Sequence, residues 1–224
     1  MALKKDIITS AIGILVLTLA LGILYPLVIT GVSQVAFPGN ANGQQVHVGG
    51  QLVGSKLIGQ NFGTVVVNPK TGKPKLGSAG NPVTTPNPRY FQGRPSGTAP
   101  ANNAAGTAFA NYGPNSTVTE QAIAANIQAY IQLNGRYYPG RLTAATVPVD
   151  AADTSASGID PDISVANADI QAHRIAAVRH LPLAQVKRLI STYTGGRGLG
   201  FSGEPGVNVL QLNLALNRAP KGGR

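Results

Sequence analysis

The stretch from Ile7 to Val35 consists mostly of Ile, Leu, Val, Ala and Gly and carries no charged side chain. At about 1.5 Å of rise per residue, a helix over this stretch is roughly 40 Å long, which exceeds the roughly 30 Å thickness of the hydrocarbon layer of a bilayer. A cleaved signal peptide is the competing interpretation, but its apolar core has only about 7 to 15 residues and ends at a small-residue cleavage site. The sequence after Gly31 lacks such a site, so the stretch predicts a retained transmembrane helix over residues 7–35.

The lysines around this helix predict its orientation. Lys4 and Lys5 lie just before it, and the next basic residue is Lys56. Because positive flanking residues stay on the cytoplasmic side, residues 1–6 are predicted to be cytoplasmic and residues 36–224 to lie outside the membrane. About 190 residues are enough for one domain with its own core.

Charge and cysteine content narrow the function classes. The chain has a net charge of +10 and no cysteine. Without cysteine, the outer domain can use neither disulfides nor thiolate metal ligands. Because the predicted topology places the basic excess outside, anionic lipid headgroups and acidic partner surfaces fit it better than nucleic acid does. A purely solubilising basic surface remains the simpler alternative.

Small residues mark two faces of the predicted span. Ala11, Thr18 and Gly22 fall on one face, where another helix could approach closely. A second set lies roughly opposite, so either face could dock: Gly13, Ala20 and Gly31. Pro26 lacks a backbone donor, and we expect a kink in the outer half of the helix.

Short strands and helices alternate irregularly after residue 36, which predicts an α+β domain. We expect strands over 45–48 and 51–53 around Gly49-Gly50, and a basic hairpin that pairs 64–67 with 73–76. The stretch 77–114 is rich in Gly, Pro, Asn and Ala and predicts a long loop. The apolar run Val207–Leu216 shifts from odd to even positions, which predicts a central strand with a bulge.

Three helices are predicted in the same domain. Thr117 and Glu120 form a capping box, Ile123, Ile127 and Ile131 form a core stripe, and Gly135 ends the helix. A second helix begins after Ser164 and stops before Pro182. The third runs over 183–193, with Val186 and Ile190 on its buried face.

Two sequence patterns are typical of nucleotide or metal sites, but their surroundings do not support either kind of site. Gly198, Gly200 and Gly203 have dinucleotide-motif spacing but follow a predicted helix and precede a predicted strand, so we interpret them as a turn. His173 and His180 share a helix face without an evident third metal ligand, which favours surface histidines. No catalytic residue is assigned, and the chain is not expected to be an enzyme by itself.

An acidic cluster leaves two interpretations open. It could hold a hard cation through its oxygens, or it could form a turn and a helix start, which we favour because acids complement the N-terminal end of the helix dipole. Its members are Asp150, Asp153, Asp160 and Asp162.

The ordered motifs of the chain, taken together with the N-terminal span, resemble the C subunit of the Kdp potassium-transporting ATPase. In chain order they are Gly54-Ser55-x-Leu57-Ile58-Gly59-Gln60-x-Phe62, Tyr90-Phe91-x-x-Arg94-Pro95-Ser96, Asn111-x-Gly113-Pro114, Val147-Pro148-Val149-Asp150, Ser157-Gly158-Ile159-Asp160-Pro161-Asp162-Ile163-Ser164 and Gly203-Glu204-Pro205-x-Val207-Asn208-Val209-Leu210-x-Leu212-Asn213. Two departures stand out: residues 63–88 look like an insertion, and Asp162 occupies a position where the family pattern has histidine.

The resemblance implies a single-pass subunit of a bacterial inner (plasma) membrane complex that imports potassium. Its partners would be a channel-like subunit, an ATP-hydrolysing subunit and the lipid bilayer, with no nucleic acid. The family is described as a catalytic chaperone that raises the ATPase subunit's affinity for nucleotide. ATP is therefore implied only through the partner, and no cofactor is assigned to this chain.

A different function class stays open on the residues alone. The chain could be a freestanding, membrane-anchored binding protein that captures an anionic ligand with its basic surface. In either class Arg94 is expected to tie loops together by pairing with Asp150, Asp160 or Glu204, since a guanidinium bonds a carboxylate through two parallel donors. Asn208 belongs to the same set of structural motif residues.

Overall fold

The computed structural model describes residues 2–77, 80–98, 100–106, 111–113 and 115–219. Pro114 of the Asn111-x-Gly113-Pro114 motif and parts of the predicted loop 77–114 lie outside the described residues. The chain contacts divide into two compact units, Met1–Ser55 and Lys56–Arg224.

The first unit begins with a long helical stretch. It consists of α1 (Ala2–Leu19), a π-helical segment (Ala20–Leu24) and α2 (Tyr25–Ala36). It runs over the 34 residues from Leu3 to Ala36, and its most apolar 18-residue window has a mean hydropathy of 2.6 and is 0% buried. By length and composition it can cross a bilayer, and it is the only such helix among the described residues.

The regular hydrogen bonding of this stretch changes just before Pro26. The backbone N–H of Tyr25 donates to the carbonyl of Ala20, five residues back. Pro26 has no N–H to donate, and its ring crowds the carbonyl four residues earlier, so the preceding turn must widen or bend. The local departure from α-helical geometry that proline imposes is thus located at Ala20–Leu24.

A short helix, α3 (Pro38–Ala41), and a hairpin complete the first unit. Strand β1 (Gln45–Val48) pairs antiparallel with β2 (Gln51–Ser55). Gly49 and Gly50 both have positive φ, at 59° and 82°, as a type I′ hairpin turn requires. The two strands and turn predicted from the sequence are confirmed.

The second unit opens with a small irregular sheet over the predicted insertion. The predicted hairpin is confirmed by the bonds Asn68 N to Lys73 O at 2.8 Å and Lys75 N to Val66 O at 2.7 Å. An additional pairing was not predicted: β3 (Gly63–Val65) runs antiparallel to β4 (Thr84–Pro86).

The remainder is a mixed α/β arrangement around one central helix. Its elements are α4 (Thr117–Asn134), α5 (Val149–Ala152), β5 (Asp162–Ser164), α6 (Val165–Arg179), α7 (Leu183–Thr192), β6 (Thr194–Gly195), β7 (Gly206–Asn208) and α8 (Val209–Arg218). Strand β7 lies between β5 and β6, and both pairings are antiparallel. The predicted α+β class is confirmed, including helices at the positions of α4, α6 and α7.

Helix α6 contributes to both hydrophobic clusters of this unit. Ile175 is fully buried in a cluster with Phe91, Val186 and Leu212. Ile170 packs in a second cluster with residues of α4 and α5. Because α6 has apolar residues on both sides, it joins the two clusters into one continuous interior.

The predicted capping box of Thr117 and Glu120 is wrong, because the N-cap lies one residue earlier. Ser116 is the N-cap of α4, and its hydroxyl accepts from the Thr119 N–H at 3.4 Å. Ser116 has the extended backbone that an N-cap needs, at φ −71° and ψ 119°, whereas Thr117 is already helical. Two adjacent hydroxyl residues made the exact start ambiguous from sequence.

The predicted central strand over 207–216 is wrong. Only Gly206–Asn208 is a strand, and the chain then turns into α8. The Asn208 side chain accepts from the Gln211 N–H at 3.2 Å and so caps that helix. Five positions are buried, and four of them, 209, 212, 213 and 216, follow helical spacing, which the alternation of apolar residues concealed.

Candidate functional site

The motif segment Tyr90–Ser96, which we call the clamped segment, is held by side-chain amides from two helices. Asn213 on α8 bonds both polar backbone atoms of Phe91: its Oδ1 accepts from N at 2.9 Å, and its Nδ2 donates to O at 3.0 Å. Gln171 on α6 does the same for Gln92, at 2.8 and 3.0 Å. These clamps replace the strand partner that an extended buried segment would otherwise need.

Arg174 on α6 lies at the end of the clamped segment and is fully buried. Its Nε donates to Asn134 Oδ1 at 2.9 Å and its Nη2 to Gln171 Oε1 at 2.7 Å. Its Nη1 donates to the carbonyls of Tyr90, at 3.0 Å, and Pro88. All these partners are neutral oxygens, so the guanidinium is satisfied by dipoles.

The burial of Arg174 affects its ionisation. Burial lowers its pKa to about 10, against the smaller raising effects of Tyr130 and Tyr137. Since this pKa is still well above neutrality, the guanidinium remains charged, and its oxygen partners must offset the loss of water.

Asp150 anchors the other end of the same polar network at the start of α6. It accepts three bonds, from the Ser164 N–H and hydroxyl, both at 2.8 Å, and from Asn167 Nδ2 at 2.9 Å. Asn167 Oδ1 in turn accepts from Gln171 Nε2 at 2.9 Å. Asn167, Gln171 and Arg174 thus form a buried polar stripe at helical spacing, which links Asp150 to the clamped segment.

Arg94 ties the clamped segment to the loop before β5, as predicted. Its Nη1 lies 3.6 Å from Asp160 Oδ2, and its Nη2 donates to the Thr154 carbonyl at 2.9 Å. Asp160 is one of the three partners predicted for Arg94, so that pairing is confirmed. The predicted bidentate bond is wrong, because one guanidinium nitrogen approaches the carboxylate and the other bonds a backbone carbonyl. The other two candidates are used elsewhere, since Asp150 accepts from Ser164 and Asn167 at the start of α6, and Glu204 accepts from Arg197 at 2.8 and 2.9 Å.

The motif over residues 54–62 has glycine at position 59 for a steric reason. Its N–H donates to the Ile159 carbonyl at 2.7 Å. A Cβ built on Gly59 would lie 2.6 Å from the Asp160 carbonyl oxygen, closer than real Cβ contacts occur. Only glycine fits where these two backbones meet.

Asn208 connects three parts of the second unit. Besides capping α8, its Nδ2 donates to Asp162 Oδ1 and to the Lys56 carbonyl, both at 2.9 Å. Burial raises the pKa of Asp162, Asp160 raises it further, and the Asn208 bond opposes both effects. Asp162 therefore pairs with a motif asparagine.

Four of the predicted motif residues, Arg94, Asp150, Asp160 and Glu204, line one cleft of about 320 Å³, together with Asp162. In the part of the chain that the structure describes, no three His, Cys, Asp or Glu side chains lie close enough to hold a metal ion. The acids instead bond Arg94, Arg197 and local backbone: Asp160 Oδ1, for example, accepts from the Asp162 N–H at 3.0 Å. The turn and helix-start interpretation of the acidic residues matches this geometry.

The predicted helix face in the first unit is open. Ala11, Thr18 and Gly22 are all exposed. A Cβ on Gly22 would meet only Thr18 Cγ2, at 3.9 Å, and Gly13 and Gly31 of the opposite face have nothing within 4 Å. Which face contacts a partner stays a prediction.

Sequence reasoning assigned no role to the buried amides or to Arg174. Asn213 lies within a quoted motif, and Gln171 and Arg174 lie on a correctly predicted helix. The available signal was polar residues at the core spacing of α6 and α8, at positions 167, 171, 174 and 213.

Comparison with known proteins matches this chain over nearly its whole length. The family model described as KdpC, K⁺-transporting ATPase, c chain, matches residues 7–218. A protein of Methylococcus capsulatus named potassium-transporting ATPase KdpC subunit is 43% identical over 205 residues, covering 91% of this chain and 93% of the relative. Proteins of the same name from Mycobacterium tuberculosis H37Rv and Methylibium petroleiphilum are 39% and 41% identical, and each alignment covers 96% of this chain and 100% and 98% of those relatives.

Proposed function

The chain belongs to the KdpC family of potassium-transporting ATPase subunits, and from this premise we propose that it is an accessory subunit of an ATP-driven potassium import complex. The observation that carries the proposal is the extent of the likeness. The match over residues 7–218 includes both the apolar helix and the second unit. Both residues of the Asn213–Phe91 clamp lie in motifs that mark the resemblance.

The proposed topology places residues 36–224 outside the cytoplasmic membrane. Support comes from the apolar helix Leu3–Ala36 and from the lysines at positions 4 and 5. In this arrangement the helix packs on the larger membrane subunits, by way of Ala11, Thr18 and Gly22 or of the opposite face. The outer domain covers the entrance through which potassium reaches the channel-like subunit and stabilises the complex.

The effect on nucleotide affinity described for the family is proposed to be indirect. A domain outside the membrane does not meet cytoplasmic ATP. The chain would instead hold the ATP-hydrolysing subunit in its high-affinity state through packing in the membrane. For this, the chain must pack better against the high-affinity state than against the other state, because a subunit shifts an equilibrium only by such a difference.

Co-purification tests the assignment. A tagged full-length chain is extracted from its own membranes in mild detergent and passed over a gel filtration column. We expect it to elute with the channel-like and ATP-hydrolysing subunits and with potassium-stimulated ATP hydrolysis. Elution of the chain by itself would contradict the assignment and favour the freestanding anchored binding protein.

A depletion experiment addresses the nucleotide effect separately. The complex is prepared with and without this subunit, and the KM for ATP is measured for each. We expect the KM to rise when the subunit is missing. An unchanged KM in an intact remaining complex would leave the subunit with an assembly role alone.

A further inference from the structure

A short hairpin between β6 and β7 presents apolar side chains to solvent. We call the segment Arg197–Glu204 the tip hairpin. It is closed by two backbone bonds, Gly198 N to Ser202 O at 2.7 Å and Ser202 N to Gly198 O at 2.8 Å. Leu199 is 90% exposed and Phe201 is 75% exposed, so both large apolar side chains point away from the core.

The tip hairpin has a defined shape. At its base, Arg197 Nη2 donates to both carboxylate oxygens of Glu204, at 2.9 and 2.8 Å. Leu199 adopts a left-handed backbone at φ 52°, a conformation that costs energy for a residue with a side chain. A strained, cross-braced loop that displays Leu and Phe resembles a preorganised binding element, because ordering has already been completed before a partner arrives.

The charge of the tip hairpin favours a protein partner over a lipid surface. Arg197 and Glu204 are the only charged residues between Thr194 and Asn208, and they neutralise each other. Anionic headgroups attract surplus Lys and Arg charge, which this segment does not offer. The tip hairpin has no net charge and displays a leucine and a phenylalanine. It therefore fits an apolar pocket in a protein, where aromatic side chains commonly act as anchors.

A groove next to the tip hairpin extends the same surface. It has a volume of about 490 Å³ and is lined by residues of α6, α7 and β6, including Val165, Lys187 and Ile190. Gly195 and Gly196, just before the tip hairpin, and Pro205, just after it, also line this groove. The tip hairpin and the groove are therefore contiguous. A partner could receive the tip hairpin and also place a side chain of its own in the groove.

We propose that the tip hairpin docks on another subunit of the transport complex by inserting Leu199 and Phe201 into an apolar pocket there. This inference rests on the proposed function, since it requires that the chain assembles with other subunits. It adds which part of the second unit makes the contact and the chemistry of the surface that receives it.

Photo-crosslinking in intact membranes tests the contact. The photoreactive residue p-benzoylphenylalanine replaces Phe201 in the full-length chain, and Leu76 carries it in a matched control. Leu76 is also an exposed apolar residue, at 58%, but lies in the hairpin over residues 63–88. Ultraviolet light is expected to join the Phe201 site to one larger subunit, with at least tenfold less product from the Leu76 site.

Two results would overturn the docking proposal: products with lipid alone at the Phe201 site, or equal protein products at both sites. A second variant tests the contact independently if the photoreactive protein fails to fold. Leu199→Ser combined with Phe201→Ser is expected to retain the wild-type unfolding midpoint and to weaken co-purification by roughly tenfold, as loss of an anchor does. The control is Leu76→Ser, which should co-purify normally.

The two proposals fail in different ways. If the wild-type chain does not co-purify with other subunits, both the proposed function and the docking contact are wrong. If the wild-type chain co-purifies and the double serine variant does so equally well, the function stands and the docking contact is wrong.

Discussion

Asn213 and Phe91 are 122 positions apart in sequence, yet the Asn213 amide bonds both the N–H and the carbonyl of Phe91, at 2.9 and 3.0 Å. Phe91 itself is fully buried in the main hydrophobic cluster. The pair therefore joins α8 to the clamped segment by polar and apolar contacts at the same place.

Removal of this clamp is expected to destabilise the second unit. Asn213→Ala leaves a buried donor and a buried acceptor of Phe91 without partners, which should lower the free energy of unfolding by roughly 2–4 kcal/mol. The measurement is urea unfolding of the full-length chain in detergent. Asn217→Ala, at an exposed position of the same helix, is the control, and an equal loss in both variants would contradict the importance of the clamp.

Arg174→Lys tests whether the buried guanidinium is needed for its geometry as well as for its charge. Lysine keeps the charge but cannot bond Asn134, Gln171 and the Tyr90 carbonyl in one plane. We expect a loss of about 3–5 kcal/mol, as when a buried charged group loses its partners. Arg188→Lys, at an exposed site on α7, should change stability by less than about 0.5 kcal/mol.

The sequence predicted local structure well where the signal lies within a few residues. The Gly49-Gly50 turn and the start of α6 after Ser164 are short-range features, and Arg94 was correctly expected to pair with an acid. The role of Gln171 was not predictable in the same way, because a polar residue on a helix normally indicates a solvated face. Its partner Gln92 is 79 positions away, and only the tertiary fold brings them together.

The same limit explains the error over α8. Val207 to Leu216 is a short apolar run, and such runs fit a strand or a buried helix equally well by composition. The Asn208 side chain favours the helix, because it caps α8 at the Gln211 N–H. Asn208 at the cap position was a local signal for a helix start, but the apolar alternation after it favoured a strand.

Arg94 and Asp160 are expected to couple only weakly. Their charged atoms are 3.6 Å apart and each side chain is about a quarter exposed, at 24% and 29%. A double-mutant cycle with Arg94→Ala and Asp160→Asn should give a coupling of at most about 1 kcal/mol. Arg94→Ala alone should cost more than that coupling, since the Thr154 carbonyl also loses its donor. A coupling well above this value would show that the ion pair, and not the bond to Thr154, dominates the contact between Arg94 and the loop before β5.

Asp162 is expected to make stability depend on pH. Burial raises its pKa in the folded state above the unfolded value, so the ionised carboxylate opposes folding at neutral pH and the protonated form does not. The Asp162→Asn variant should therefore be more stable relative to the wild type at pH 7 than at pH 4. Unfolding free energies of both proteins at several pH values give this difference.

A matched charge-neutralising variant controls for general effects of net charge. Glu120→Gln removes one acid from the exposed face of α4. If the advantage of Asp162→Asn over the wild type grew as the pH fell, the sign of the pKa shift would be the reverse of that inferred.

The location of the second unit is the central claim of this account, and cysteine labelling tests it most directly. Because the chain has no cysteine, a single one placed at Val149, which is 77% exposed, is a unique probe. A membrane-impermeant maleimide added to intact right-side-out spheroplasts should label the Val149→Cys protein fully, and should label Lys4→Cys only after permeabilisation. Labelling of Val149→Cys only after permeabilisation would contradict the outer location and the entrance-covering role.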